Sequence, residues 1–239
     1  MLLAACALLP LLLAAQTEGL GSWNILNLKY TWNDRWSGFA EGQVRSLRFY
    51  DDFHYHEYKG AVTYKAMTGL KLSLGAGRYV TYRPGGDFVE PKANDEFRLW
   101  PQVALESSLG RLRIEQRYRW EMRHTSFGYR NRFRYRLGLS YPFGGRKDKV
   151  HPYTLSASDE LFFTDREPYF ERNRFQVGLT RRLNPMTSVQ LGYLHQFDYR
   201  INDEIGRDFL VVGVYVELER DRNRKSADAI GPRLLSGGQ

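Results

Sequence analysis

From Arg111 to Arg123 a charged residue stands at every odd position: Arg111, Arg113, Glu115, Arg117, Arg119, Glu121 and Arg123. The even positions hold Leu112, Ile114, Gln116, Tyr118, Trp120 and Met122. A strand turns successive side chains to opposite faces, so this period of two makes one charged face and one largely apolar face. A helix would scatter the same charges round its circumference. The next segment repeats the pattern, with Arg130, Arg132, Arg134 and Arg136 alternating with Asn131, Phe133, Tyr135 and Leu137. Both segments read as strands.

Similar alternation places strands near 36–49, 53–65, 70–82, 96–105, 111–123, 130–141, 153–163, 170–183, 188–200 and 207–218. At about 10 to 14 residues each, they exceed the usual soluble strand and suffice for a tilted membrane strand. No helical pattern interrupts them, which excludes a parallel α/β sheet. The expected fold is all-β: an antiparallel up-and-down transmembrane β-barrel of about ten strands. The segment 22–32 also alternates, with Leu26, Leu28, Tyr30 and Trp32 on one face. It either finds a partner, giving twelve strands, or lies in the lumen or periplasm as an adjunct.

A soluble sandwich would show the same period, and three features favour the barrel. Connections alternate between tight turns (66–69, 106–110, 184–187) and looser loops (84–95, 124–129, 164–169), as in outer-membrane barrels. Aromatic residues crowd the strand ends, as interfacial girdles do: Trp36, Tyr50, Tyr82, Trp100, Trp120, Tyr141, Phe143, Tyr153, Phe162, Tyr169, Phe197 and Tyr199. The charged faces are dominated by Arg with Glu, and a guanidinium fork satisfies carboxylates at two points inside an enclosed lumen.

Composition agrees with this reading. Mean hydropathy of −0.53 excludes a bundle of membrane-spanning helices, and 14 Phe, 16 Tyr and 5 Trp exclude disorder as the main state. A single cysteine, Cys6, excludes a disulfide framework and a cysteine-based zinc site. The formal charge of +8 does not by itself choose a partner.

Residues 1–15 (MLLAACALLPLLLAA) form an apolar run with the small residues Ala14 and Ala15 at its end, the pattern of a secretory signal peptide. Leu3-Ala4-Ala5-Cys6 resembles a lipobox, but most of the apolar core follows Cys6 instead of preceding it. The barrel domain is expected over 16–219, followed by a disordered polar tail over 220–239 that starts in the charge run ERDRNRK. Export argues against a nucleic-acid partner.

The set Trp120-Glu121-Met122-Arg123, Arg130-Asn131-Arg132-Phe133-Arg134, Glu160-Leu161-Phe162 and Arg172-Asn173-Arg174-Phe175 resembles the bacterial outer-membrane proteins catalogued as domain of unknown function 2490. Trp32-Asn33-Asp34-Arg35-Trp36 and Gly192-Tyr193-Leu194-His195-Gln196 are similar too, so the resemblance covers about 22–218. It implies a signal peptide, a barrel in the outer membrane of a Gram-negative bacterium, and no defined activity. The expected partners are membrane lipid, lipopolysaccharide and, during insertion, the barrel-assembly machinery. One departure is the C-terminus, where a tail follows Leu218 instead of a closing aromatic residue.

The lumen charge network is expected to comprise Arg98, Arg113, Glu115, Arg117, Arg119, Glu121, Arg132, Arg134, Arg136, Glu160, Arg172 and Arg174, joined by Glu41, Arg45, Glu57, Lys59 and Glu96. Charges in a confined lumen must be paired, so a packed interior is expected in preference to an open porin, and an arginine-lined anion path is the other reading. The chain reads as non-enzymatic, with a structural, narrow-conduit or surface-interaction role. The enzymatic alternative is a lipid hydrolase using His124 and Ser126, two residues apart on one face. His54 and His56, beside Asp51 and Asp52, have ligand chemistry, but an interfacial polar segment explains them, and no metal or cofactor is expected. Gly75-Ala76-Gly77 lacks the helix and lysine of a phosphate loop and eases bending of the wall.

Overall fold

The computed structural model describes residues 17–145, 150–199 and 204–220. Eleven strands follow one another: β1 (Thr17–Thr31), β2 (Trp36–Arg48), β3 (Asp51–Met67), β4 (Leu70–Arg83), β5 (Val89–Leu109), β6 (Leu112–Thr125), β7 (Gly128–Phe143), β8 (Tyr153–Thr164), β9 (Phe170–Arg182), β10 (Thr187–Asp198) and β11 (Ile205–Glu219). Neighbours in sequence are neighbours in space, and β1 pairs with β11 to close the barrel. The all-β barrel expected from the period of two is therefore the fold. The expected signal peptide, Cys6 and all of the polar tail except Arg220 lie outside the described residues.

The described residues form eleven strands, between the ten and the twelve expected, and the segment around 22–32 supplies the eleventh. Instead of lying in the lumen or periplasm as an adjunct, β1 is part of the wall. It pairs antiparallel with β2, from Ser22↔Ser46 to Thr31↔Ser37, and parallel with β11, from Leu20↔Asp208 to Thr31↔Glu219. Up-and-down strands alternate in direction, so an odd number can close only through one parallel pair. Thr17 consequently stands at one rim, the N-terminal rim, and Glu219 at the other, the C-terminal rim.

The expected contrast between tight and loose connections is not found. Two-residue connections occur at both rims, 49–50 and 126–127 at one and 68–69 and 110–111 at the other. The longest, 144–152, lies on the rim expected to carry only tight turns. The segment 84–95 looked like a loop because of its Pro and Gly, yet β5 starts at Val89, paired with Arg83. Pairing of β5 with β6 begins only at Phe97↔His124, so Pro91 lies where the ladder runs on one side alone and its missing N–H is tolerated. Deeper in β5, pairing to β6 lapses between Leu99↔Met122 and Gln102↔Arg119, the stretch that contains Pro101.

Side chains segregate by parity. Along β6, Glu115, Arg117, Arg119, Glu121 and Arg123 are buried, whereas Tyr118, Trp120 and His124 are exposed. Phe133, Leu137, Leu139 and Tyr141 of β7 also face outward. Two residues expected in the aromatic girdles do not: Trp100 and Phe162 are both 0% exposed. They share parity with Arg98 and Glu160 respectively, so the lumen holds them. Trp36, Tyr50, Trp120, Tyr141 and Tyr169 do lie exposed.

Consecutive Arg45 and Ser46 of β2 pair with Tyr55 and Phe53 of β3, so His54 is the extra residue of a bulge on β3 and parity reverses there. His54 and His56, expected on one face, are thereby separated. His54 is buried beside Tyr55, while His56 packs outside against Tyr58, Tyr82 and Phe88. Among the described residues no group of His, Cys, Asp and Glu is arranged to hold a metal ion.

Candidate functional site

The interior is built around Glu121, which β6 turns into the lumen with 0% exposure. Its Oε1 accepts from Arg134 Nη1 at 2.5 Å and lies 3.6 Å from Arg119 Nη1. Its Oε2 lies 3.5 Å from Arg132 Nη1 and 3.6 Å from Arg98 Nη1. Four guanidiniums from β5, β6 and β7 thus surround one carboxylate. Each is shared with another acceptor, which is what keeps so dense a set of buried charges tolerable.

Arg134 donates from Nε and Nη2 to Glu160 at 3.1 and 2.8 Å, and Arg117 reaches the same carboxylate at 2.7 Å. Arg132 grips Glu171 with Nε at 2.9 Å and with Nη2. Arg98 donates to Glu96 at 2.8 Å, and Arg123 clasps Glu96 from Nε and Nη2. Arg119 donates twice to Gln102 Oε1, at 2.9 and 2.7 Å. These forked, charge-assisted bonds exploit the planar guanidinium in a way lysine could not.

A second node spans β1, β2 and β3. Lys59 Nζ lies 2.8 Å from Glu41 and 2.6 Å from Glu57. Arg45 donates to Glu57 at 2.8 Å and to Gln43 at 2.9 Å, and the Tyr55 hydroxyl donates to Glu57. Trp23 Nε1 donates to Gln43 at 2.8 Å, and Asn27 donates to Glu41 at 2.7 Å.

Aromatic rings fill the space between the charges. The Arg45 guanidinium carbon lies 3.4 Å from the Trp23 ring centre, Arg98 3.7 Å from Tyr79, and Arg119 4.0 Å from Trp100. Arg174 has no ion pair among the described residues. It donates to Gln196 at 2.8 Å and sits 4.8 Å from Phe162 and 4.9 Å from Trp23. The faces of these rings are negative enough to hold a guanidinium where no carboxylate is available. Beside them an apolar cluster of Trp23, Ile25, Leu194, Phe209 and Val211 packs under the β1–β11 seam.

Of the twelve residues expected in the network, Arg98, Glu115, Arg117, Arg119, Glu121, Arg132, Arg134, Glu160 and Arg174 are buried; Arg113, Arg136 and Arg172 are half-buried on the same inner face. Arg172 pairs with Asp198. Glu115 and Arg136 make no ion pair among the described residues. Arg123, Trp100 and Phe162 were missed although the parity of their own strands places them inside. Glu171 had no such signal: a bulge between Phe162 and Phe163 turns it inward. Asp198, Tyr55 and Tyr79 were also overlooked.

The proposed hydrolase pair is not assembled. The Ser126 hydroxyl accepts from the Asp95 amide at 3.0 Å, and its backbone N–H donates to Asn94. The His124 ring packs on Tyr129 at 5.0 Å, with no hydrogen bond to Ser126.

The segments that carry the sequence resemblance are therefore interlocked: Glu121, Arg123, Arg132, Arg134, Glu160, Phe162, Arg172 and Arg174 all project into one lumen. Residues 20–206 match the family described as Protein of unknown function (DUF2490). The chain belongs to the DUF2490 family. No curated protein and no solved structure matches it. The DUF2490 match starts within β1 and ends within β11, so it takes in the whole wall up to its closing strand.

Proposed function

We propose that this chain is an integral outer-membrane β-barrel of a Gram-negative bacterium, sealed to solute flow by its Arg/Glu network and non-enzymatic. One observation carries the reading: large apolar side chains face out around the wall while charges fill the middle. Leu26, Leu74, Leu99, Leu137, Leu179 and Leu191 are all at least a third exposed, on strands spread round the circumference. A ring of that kind is unfavourable in water and suited to acyl chains. The exposed Trp36, Trp120 and Tyr141 suit the membrane interfaces.

In this reading residues 1–15 direct export, membrane lipid and lipopolysaccharide cover the wall, and the assembly machinery inserts it. With about eleven strands the bore is little wider than the side chains that fill it. The protein then works as a scaffold or through surfaces at its rims, and not as a general porin. A narrow anion conduit is the second reading, favoured by the inward guanidiniums of Arg136 and Arg174, which make no close ion pair among the described residues. Fractionation with gel mobility before and after heating tests the principal reading. It predicts outer-membrane sedimentation and faster migration of the unheated form; a detergent-free soluble monomer overturns it.

A further inference from the structure

Inward-facing charges are sealed in one half of the barrel and open in the other. The side chains of Glu121, Glu57 and Lys59 are 0–3% exposed. Nearer the C-terminal rim, those of Lys29, Glu217, Lys71 and Glu106 rise to 18, 26, 31 and 21%. The inner wall there also includes small residues, among them Ser73, Gly138, Ser140, Ser156, Ser158 and Gly178.

We propose that this half of the lumen is a blind, water-filled cup that binds a small oxyanion, a carboxylate or a phosphate, at Arg136. Arg136 stands in register between Arg117 on β6 and Glu160 on β8. Glu160 is already engaged by Arg117 at 2.7 Å and Arg134 at 2.8 Å, so Arg136 is left without an ion pair among the described residues. Its side chain lies over Gly138, where a Cβ would come 3.9 Å from Arg136 Nε. That Nε is buried without a hydrogen-bond partner among the described residues.

Four residues on from Arg136 along the same face, Ser140 is 6% exposed and its hydroxyl has no hydrogen-bond partner among the described residues. A guanidinium presents paired N–H donors to two oxygens of one anion, and a turn of Ser140 about χ1 adds a third donor. Glu115, in register with Gly138, lines the same cup with no ion pair among the described residues. Its carboxylate opposes an anion, so affinity is set by the balance between Arg136 and Glu115. The cup's closed end rests on the sealed lumen proposed above; binding at Arg136 does not require it.

Titration calorimetry on the detergent-solubilised full chain tests the site, with sodium phosphate and sodium acetate as separate probes at constant ionic strength. Saturable binding of at least one is expected, and whichever binds tells phosphate from carboxylate chemistry. Arg136→Gln should weaken it at least tenfold, and Glu115→Gln should tighten it several-fold, with heat-modifiable mobility confirming that each variant is folded. Absence of saturable binding by both probes, or equal affinity in wild type and Arg136→Gln, overturns the proposal. A protein that conducts ions yet binds at Arg136 overturns the seal and leaves this site standing.

Discussion

The Glu121 carboxylate accepts a 2.5 Å bond from Arg134, whose other two guanidinium nitrogens hold Glu160. One side chain thus couples two buried carboxylates on different strands. Removing one charge leaves the others buried and unmatched. Glu121→Gln is expected to lower unfolding stability by about 3–5 kcal/mol, and combining it with Arg134→Met should restore part of that loss. Urea unfolding in lipid vesicles checks this; a single-variant loss below about 1 kcal/mol would show that the network is poorly formed.

Gly75 makes room for Trp100. A Cβ at position 75 would fall 2.2 Å from Trp100 Cζ2, and Trp100 in turn carries the stacked Arg119. Gly75→Ala must displace the indole and should cost about 1–3 kcal/mol. The indole's fluorescence should change with it. Wild-type stability and an unaltered spectrum in the variant would mean that Trp100 is not packed there.

The barrel's seam makes a covalent prediction. Leu26 and Val214 are direct partners across the parallel β1–β11 ladder, and both face outward. Leu26→Cys with Val214→Cys should cross-link on oxidation of the folded protein and not in urea. A folded double variant that never cross-links would place β1 elsewhere.

At the N-terminal rim the exposed Asp165 accepts from Asn131 N at 3.2 Å and from Asn131 Nδ2 at 2.8 Å. The Asn131 side chain holds the Asp165 carboxyl below its ordinary value, desolvation being a smaller opposing effect. A lowered pKa means that the contact helps at neutral pH and is lost as pH falls below the usual carboxylate range. Asn131 Oδ1 also accepts from Trp120 Nε1 at 2.9 Å, so Trp120 emission should follow that loss. Asp165→Asn should remove the acid-dependent step; an unchanged step would assign it to another group.

The alternation from Arg111 to Arg123 made the fold legible, because a strand's parity is a local property of the chain. The same logic placed Glu121, Arg134 and Glu160 inside. It was less successful where the ladder slips by one residue. The bulges at Arg45/Ser46 and Phe162/Phe163 reversed the faces of His54 and Glu171, and nothing local announces a bulge. Trp100 and Phe162 were assigned to the girdles by residue type, although parity already put them against guanidiniums. Closure by β1 was hidden for another reason. It depends on a parallel partner nearly two hundred positions away, a relationship that no periodicity within β1 encodes.

Current across a planar bilayer tests the sealed barrel most directly. With Glu121 and its four arginines in place, purified protein inserted into the membrane should give no unitary conductance in potassium chloride. Stable, ohmic steps from the wild-type protein would show an open bore and contradict the account.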